Sequence, residues 1–367
     1  MREGNVKVSI PSEELDIHFI DYNSSPDKPV LVCFHGNSGS ANDFYQQFSS
    51  LGEKYRIVAF DLPGHGSSSA VMIEENKKKI YSFPGYADIM AKSIKALGIE
   101  DFFVLGVSLG GHNALSLLAE KNKTDADPEV REVVNNIRGL IITGTPPLDL
   151  SLTTSEEIFA QFNQGFRQNF MEQLSPEIKK EMQDLGLPYL AALLGYEKNL
   201  NDGTAQSNRI AELFVSLQDI DLREKNNFMV NMVKQTKGEA RKHMIDNMVA
   251  GNIDNQRKTV EKTNIPLLII AGTEDKGISV EYLRTLALPS NAQLKEIPGG
   301  HGVFLLPNFS QEIDNFIDYN VANKTSTKSQ VSIDALDLAI QSKPSPLPSK
   351  TYQQKMVGIS RDGCKEI

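Results

Sequence analysis

Short apolar runs of strand length recur along this chain, and each is followed by a glycine-bearing polar loop. Pro29 to Phe34, Arg56 to Phe60, Phe102 to Val107, Gly139 to Thr143 and Pro266 to Ala271 are nearly continuous in apolar character, as strands covered on both faces are. Segments of helical periodicity fall between them, at about Ala41 to Leu51, Tyr86 to Leu97 and Leu109 to Glu120. That alternation predicts an α/β fold, a mainly parallel sheet flanked by helices. Val6 to Ile10 and Leu15 to Asp21, with Pro11-Ser12 between them, read as an opening hairpin. The charge-rich stretch Glu74 to Lys79, with its Lys77-Lys78-Lys79 run, reads as a solvated loop.

The alternation stops after Thr143. From residue 144 to 263 only amphipathic helical segments are found, one of them opened by the start signal Ser175-Pro176. Phe159, Phe162, Phe166 and Phe170 form one apolar stripe there, and Met229, Met232, Met244 and Met248 supply another. The ordinary role for both is packing between helices. The sharper reading is that some of them line an adaptable apolar pocket. Strand and helix alternate again at Pro266 to Ala271, Val280 to Ala287, Gln293 to Ile297 and Asn308 to Tyr319. The chain therefore divides into a discontinuous sheet domain (1–143 and 264–320), an inserted all-helical segment (144–263) and a tail (321–367). With Pro344, Pro346 and Pro348 in alternation, the tail is expected to be flexible, with an extended partner-binding role open to it.

Charge narrows the partners. Across 367 residues, 38 Lys and Arg stand against 47 Asp and Glu, a net charge of −9 that argues against nucleic acid. Apolar stretches such as Leu267 to Ala271 fall far short of the ~20 residues that span a bilayer, so no transmembrane segment is expected. The first residues lack the apolar core of a Sec signal peptide, and Cys33 and Cys364 are poorly placed for a structural bridge. Synthesis in the cytoplasm is the expectation, with non-Sec export through the tail left open. His35, His65 and His112 have no ligand cluster at metal-binding spacing, so they are read as shaping loops or capping helices, and no metal or cofactor is expected.

Chemistry enters with Gly106-Val107-Ser108-Leu109-Gly110-Gly111, which follows a buried strand and opens a helix. A serine on such a sharp turn needs glycines close by so that strand and helix can approach each other. A serine hydroxyl is a weak nucleophile until a base takes its proton, and the base needs a carboxylate to orient it. Gly272-Thr273-Glu274-Asp275 follows one strand and Pro298-Gly299-Gly300-His301-Gly302 follows the last. Ser108, Asp275 and His301 thus occur in Ser-acid-His order, each at a strand end. Glu274 and Asp149 remain alternatives for the acid. His35-Gly36-Asn37-Ser38-Gly39 and Asp61-Leu62-Pro63-Gly64-His65-Gly66 close two further strands.

On these five ordered loops the sequence resembles the α/β-hydrolase superfamily, in its lid-bearing serine hydrolase branch, over about residues 5 to 320. The resemblance implies that 144–263 is a helical lid and that the backbone N–H groups of Asn37 and Leu109 form an oxyanion hole. It also implies hydrolysis of an acyl bond, foremost a carboxylic ester, in a small, largely apolar substrate. Thioester, lactone, amide and C–C hydrolysis, aminopeptidase activity and acyl transfer are minor variants. Ser108 disfavours relatives that use an aspartate nucleophile. The rival from another class is a hydrolase-like receptor or scaffold with little turnover.

Overall fold

Burial with a period of two explains the sheet. In the strand Phe102–Val107, Phe102 and Val104 pack into one apolar cluster while Phe103, Leu105 and Val107 pack into another on the opposite face. Val58 and Phe60 against Ile57 and Ala59, and Leu267 and Ile269 against Leu268 and Ile270, divide the same way. Both faces are therefore core, which is why these runs show no polar alternation. The computed structural model describes residues 1–150, 174–187, 194–218 and 228–322.

Eight strands form one sheet: β1 (Arg2–Ile10), β2 (Glu13–Tyr22), β3 (Val30–Phe34), β4 (Arg56–Phe60), β5 (Phe102–Val107), β6 (Ile137–Thr143), β7 (Leu267–Gly272) and β8 (Ala292–Ile297). Their spatial order is β1-β2-β4-β3-β5-β6-β7-β8. Only the β1–β2 and β2–β4 pairings are antiparallel, and every other neighbour is parallel. The opening hairpin turns at Pro11-Ser12 as expected, with Ser12 at φ 60°.

The chain between strands forms α1 (Tyr45–Leu51), α2 (Glu74–Ile80), α3 (Phe83–Ala96), α4 (Leu109–Ala119) and α5 (Pro128–Asn135). Ile89, Leu115 and Val130 of the last three enter one core cluster, and Phe48 and Leu51 of α1 enter the other. Ser82 caps α3 through the Gly85 N–H, with Pro84 in the first turn. The stretch expected to be a solvated loop is instead the helix α2. Glu74 and Glu75 sit at its N-terminus and Lys77 to Lys79 at its C-terminus, complementing the helix dipole, while Asn76 and Ile80 are buried. α5, capped by Asp127, was not anticipated.

Between β6 and β7 the described residues contain helices and no strand: α6 (Pro176–Asp184), α7 (Ala205–Ser216), α8 (Phe228–Gln235), α9 (Gly238–Val249) and α10 (Gln256–Glu261). Ser175 caps α6 as its sequence foretells. The Phe159 to Phe170 stripe lies outside the described residues, as does the proline-spaced tail. After β7 come α11 (Val280–Arg284), β8, a short 3-10 turn (His301–Leu305) and α12, running through residues 307–322. Phe309, Ile313 and Phe316 of α12 cover the same sheet face as α1. Among the described residues no helix is long and apolar enough to cross a membrane.

Candidate active site

Ser108 sits at the junction of β5 and α4 with φ 52° and ψ −115°, a backbone conformation that L residues rarely adopt. Hydrogen bonds on both sides hold it there: its N–H donates to Thr143 O (2.8 Å), and its carbonyl accepts from Gly111 N (2.9 Å) and Thr145 Oγ1 (3.0 Å). Ser108 is the N-cap residue of α4, yet its side chain makes no capping hydrogen bond, so the hydroxyl is not used as an ordinary cap. Two glycines permit the turn. A Cβ on Gly106 would lie 2.5 Å from Gly110 O, and one on Gly110 would lie 2.0 Å from Phe34 O.

Parallel pairing of β7 with β8 sets Gly272 beside Ile297, so the loops that follow these strands meet. His301 Nδ1 donates to Asp275 Oδ2 at 2.8 Å. The other Asp275 oxygen accepts the N–H groups of Gly277 (2.8 Å) and Ile278 (3.0 Å). Burial works to raise the Asp275 pKa, but the His301 contact and those two N–H bonds outweigh it and hold the carboxyl below its ordinary value. Glu274 is exposed, and Asp149 Oδ1 accepts from Asn255 Nδ2 (3.0 Å). The imidazole of His301 rests on Gly144, where a Cβ would come within 2.7 Å of Cε1.

Gly36 follows β3 and brings its backbone against Ser108, with a Cβ there falling 3.4 Å from the serine Cβ. Asn37 and Leu109 both line the cavity that contains Ser108 and His301. Leu109 is the first residue of α4, where a helix N–H has no partner within the helix. The Asn37 side chain donates to Leu194 O (3.0 Å), tying this loop to the segment between β6 and β7. His35 Nδ1 donates to Gly36 O (2.7 Å) and its Nε2 accepts from Leu62 N (3.0 Å), a neutral arrangement matching a pKa lowered by burial. Burial likewise pushes His65 down to about 3 and, against the Gln256 hydrogen bond, His112 down to about 4. His112 stacks on Phe83 with ring centroids 4.6 Å apart. Among the described residues no group of His, Cys, Asp or Glu is arranged to hold a metal ion.

The cavity is about 110 Å³ and largely apolar. Phe83, Phe214, Val215, Met229, Met232, Met244, Met248 and Phe304 line it, so all four methionines of the second stripe face the site as well as being buried. Two polar residues missed in the sequence stand beside it. Arg241 is fully buried and directs its guanidinium to the carbonyls of Tyr196 (2.9 Å), Lys198 (2.8 Å) and Thr236 (3.2 Å), with Ser38 Oγ at 3.5 Å. Burial lowers its pKa to about 10. The other is Asp43, at the end of the Asn37 loop and itself part of the cavity wall. Nothing in the local pattern marks Arg241, whereas Ser40-x-x-Asp43 has the spacing of a capping box.

Similarity to known proteins bears on the fold. The family model of the alpha/beta hydrolase fold matches residues 29–307. A 2-succinyl-6-hydroxy-2,4-cyclohexadiene-1-carboxylate synthase of Shigella dysenteriae is 31% identical over 99 residues, 27% of this chain and 36% of that protein. The uncharacterized hydrolase YugF of Bacillus subtilis is 30% identical over 103 residues, 28% of this chain and 36% of that protein. The chain thus spans about a third of the length of these curated relatives. Among solved structures, the N-acyl homoserine lactonase AidH superposes with a TM-score of 0.62 at 24% identity, covering 88% of this chain and 97% of that one. A thermophilic esterase from Thermogutta terrifontis gives 0.58 at 17% identity, covering 86% and 98%. With the family model spanning the sheet from β3 to the turn after β8, the chain belongs to the α/β-hydrolase fold family.

Proposed function

We propose that the protein is a serine hydrolase that cleaves an acyl bond, foremost a carboxylic ester, of a small and largely apolar substrate. The observation that carries this reading is the 2.8 Å bond from His301 Nδ1 to Asp275, formed in the same cavity wall as the strained Ser108. With Nδ1 donating to the carboxylate, Nε2 is the nitrogen left to act as base. His301 takes the Ser108 proton, Ser108 attacks the acyl carbonyl, and Asp275 stabilises the imidazolium that forms. The N–H groups of Asn37 and Leu109 stabilise the developing oxyanion, and loss of one such donor typically costs about 10²–10³ in rate. His301 gives that proton to the departing alkoxide as the tetrahedral intermediate collapses to the acyl-enzyme, then takes a proton from the water whose attack releases the acid, and returns it to Ser108.

The helices between β6 and β7 act as a lid in this scheme, supplying the methionine-rich wall that receives the acyl chain. Met side chains adapt to irregular surfaces, which suits a range of apolar groups better than one fixed shape. Labelling with an active-site fluorophosphonate tests the chemistry, because wild type should label and Ser108→Ala should not. A panel of p-nitrophenyl esters of rising acyl length then tests the substrate class. Binding of esters without Ser108-dependent turnover would favour a receptor instead.

A further inference from the structure

Asp43 is the odd residue in an apolar wall. It belongs to a 3-10 turn (Ala41–Phe44) directly after the Asn37 loop and is only 3% exposed. The Ser40 side chain accepts from Asn42 N, and the Asp43 carboxyl faces the Ser40 backbone N–H, the layout of a capping box. Oδ1 of that carboxyl is buried with no hydrogen-bond partner among the described residues. A cap needs only one oxygen, and an unmatched polar atom in an apolar wall is costly to keep. Asp43 also lines the cavity shared by Ser108 and His301, so its carboxyl group borders the space that receives substrate.

We propose that Asp43 is a specificity-determining residue that donates a hydrogen bond to an oxygen carried on the acyl chain, such as a keto group, and so selects oxo-acyl over plain acyl substrates. Protonation supports the donor role. Burial, reinforced by the charge of Asp61 and only partly offset by the Ser40 N–H, raises the carboxyl pKa to about 8, so Asp43 is largely the neutral acid at neutral pH. A neutral acid with a free O–H gains a partner from a keto oxygen and none from a methylene. Sites that must hydrogen-bond a substrate group reject the analogue lacking it far more strongly than apolar pockets reject a change of size.

The inference rests on the serine hydrolase reading, and the experiment separates the two. p-Nitrophenyl esters of short acids with a keto group on the fourth, fifth or sixth carbon are each compared with the ester bearing a methyl branch at the same carbon. For wild type, kcat/KM should favour the keto ester by at least about tenfold at one of these positions. Asp43→Leu should bring that ratio to one or below, chiefly by losing the keto ester, while Asp43→Asn, which keeps an N–H donor, should retain a preference. Ser108 labelling by a fluorophosphonate is measured alongside. A wild type that labels yet shows no keto preference at any position overturns this inference alone, as does an unchanged ratio in Asp43→Leu. Should Asp43→Leu fail to fold, loss of the preference in Asp43→Asn would overturn the donor role. A wild type that does not label overturns the hydrolase reading and this inference with it.

Discussion

Replacing Ser108 by glycine should make the protein more stable while abolishing turnover. At φ 52° and ψ −115° the residue lies where the Cβ of an L amino acid is crowded, at a cost of roughly 1–3 kcal/mol. Glycine removes the crowding but gives the unfolded chain more freedom, which returns about 0.5–1 kcal/mol. Mid-range values therefore leave a net gain of about 1 kcal/mol. Ser108→Ala is the control, since it removes the same hydroxyl and keeps the Cβ. The backbone is pinned independently of the side chain, through the Ser108 N–H to Thr143 and the Ser108 carbonyl to Gly111 and Thr145, so both variants should keep the turn. Urea unfolding followed by far-UV circular dichroism suits a chain that has no Trp. At equal m-values, the Ser108→Gly midpoint should lie above both Ser108→Ala and wild type. A Ser108→Gly midpoint at or below that of Ser108→Ala would refute the claim that strain is stored at this residue.

Four further outcomes follow from the same geometry. Gly144→Ala combines a positive φ of 60° with a Cβ placed 2.7 Å from the His301 ring, so it should cut kcat by at least about tenfold by displacing the imidazole, with a melting temperature only a few degrees lower. Asp275→Asn should lower kcat/KM by about 10³–10⁴, read on any ester that wild type turns over. Because Asp275 has a depressed pKa in the fold, its stabilisation is complete above the usual carboxylate value near ~4 and drains away as pH falls through the folded value. Stability curves of wild type and Asp275→Asn should therefore converge in acid. His18 is shifted the other way: the Asp61 hydrogen bond raises its pKa against burial, with Glu3 adding to the rise. Its contribution is full below about pH 6.5 and is lost as pH climbs through the raised value, so His18→Gln should flatten the fall in stability above about pH 6.5. Arg241→Met leaves the buried Thr236 carbonyl and the part-buried Tyr196 and Lys198 carbonyls without their donor and should cost at least about 3 kcal/mol in urea unfolding, with Arg241→Lys recovering only part of it.

What could be read in the sequence follows from where each residue's surroundings come from. The core strands were legible because burial on both faces leaves a continuous apolar run, and Phe102 to Val107 carries that mark without any partner in view. α2 was not legible, because its register depends on distant groups: Asn76 Nδ2 donates to Pro11 O (2.9 Å), and Lys77 pairs with Glu239. Arg241 was hidden for the same reason, since its acceptors lie on segments that only the fold brings around it. Asp43 was half visible. The capping spacing is local, but the carboxyl acquires its further meaning only from the cavity.

The acid opposite His301 is the sharpest case, because Asp149 and Asp275 both follow a core strand and local pattern ranks them without deciding. Sheet order supplies what pattern lacks. β8 is the edge neighbour of β7, with Gly272 level with Ile297, so chain leaving the two strands at that end runs side by side. Asp275 comes three residues after Gly272 and His301 four after Ile297, within reach of the 2.8 Å bond they form. β6 lies one strand further in, with Thr143 level with Ile270, and Asp149 leaves that strand end to meet Asn255. The pairing of carboxylate and imidazole is thus a consequence of which strands are neighbours, a fact that resides in the topology and not in any stretch of sequence around either residue.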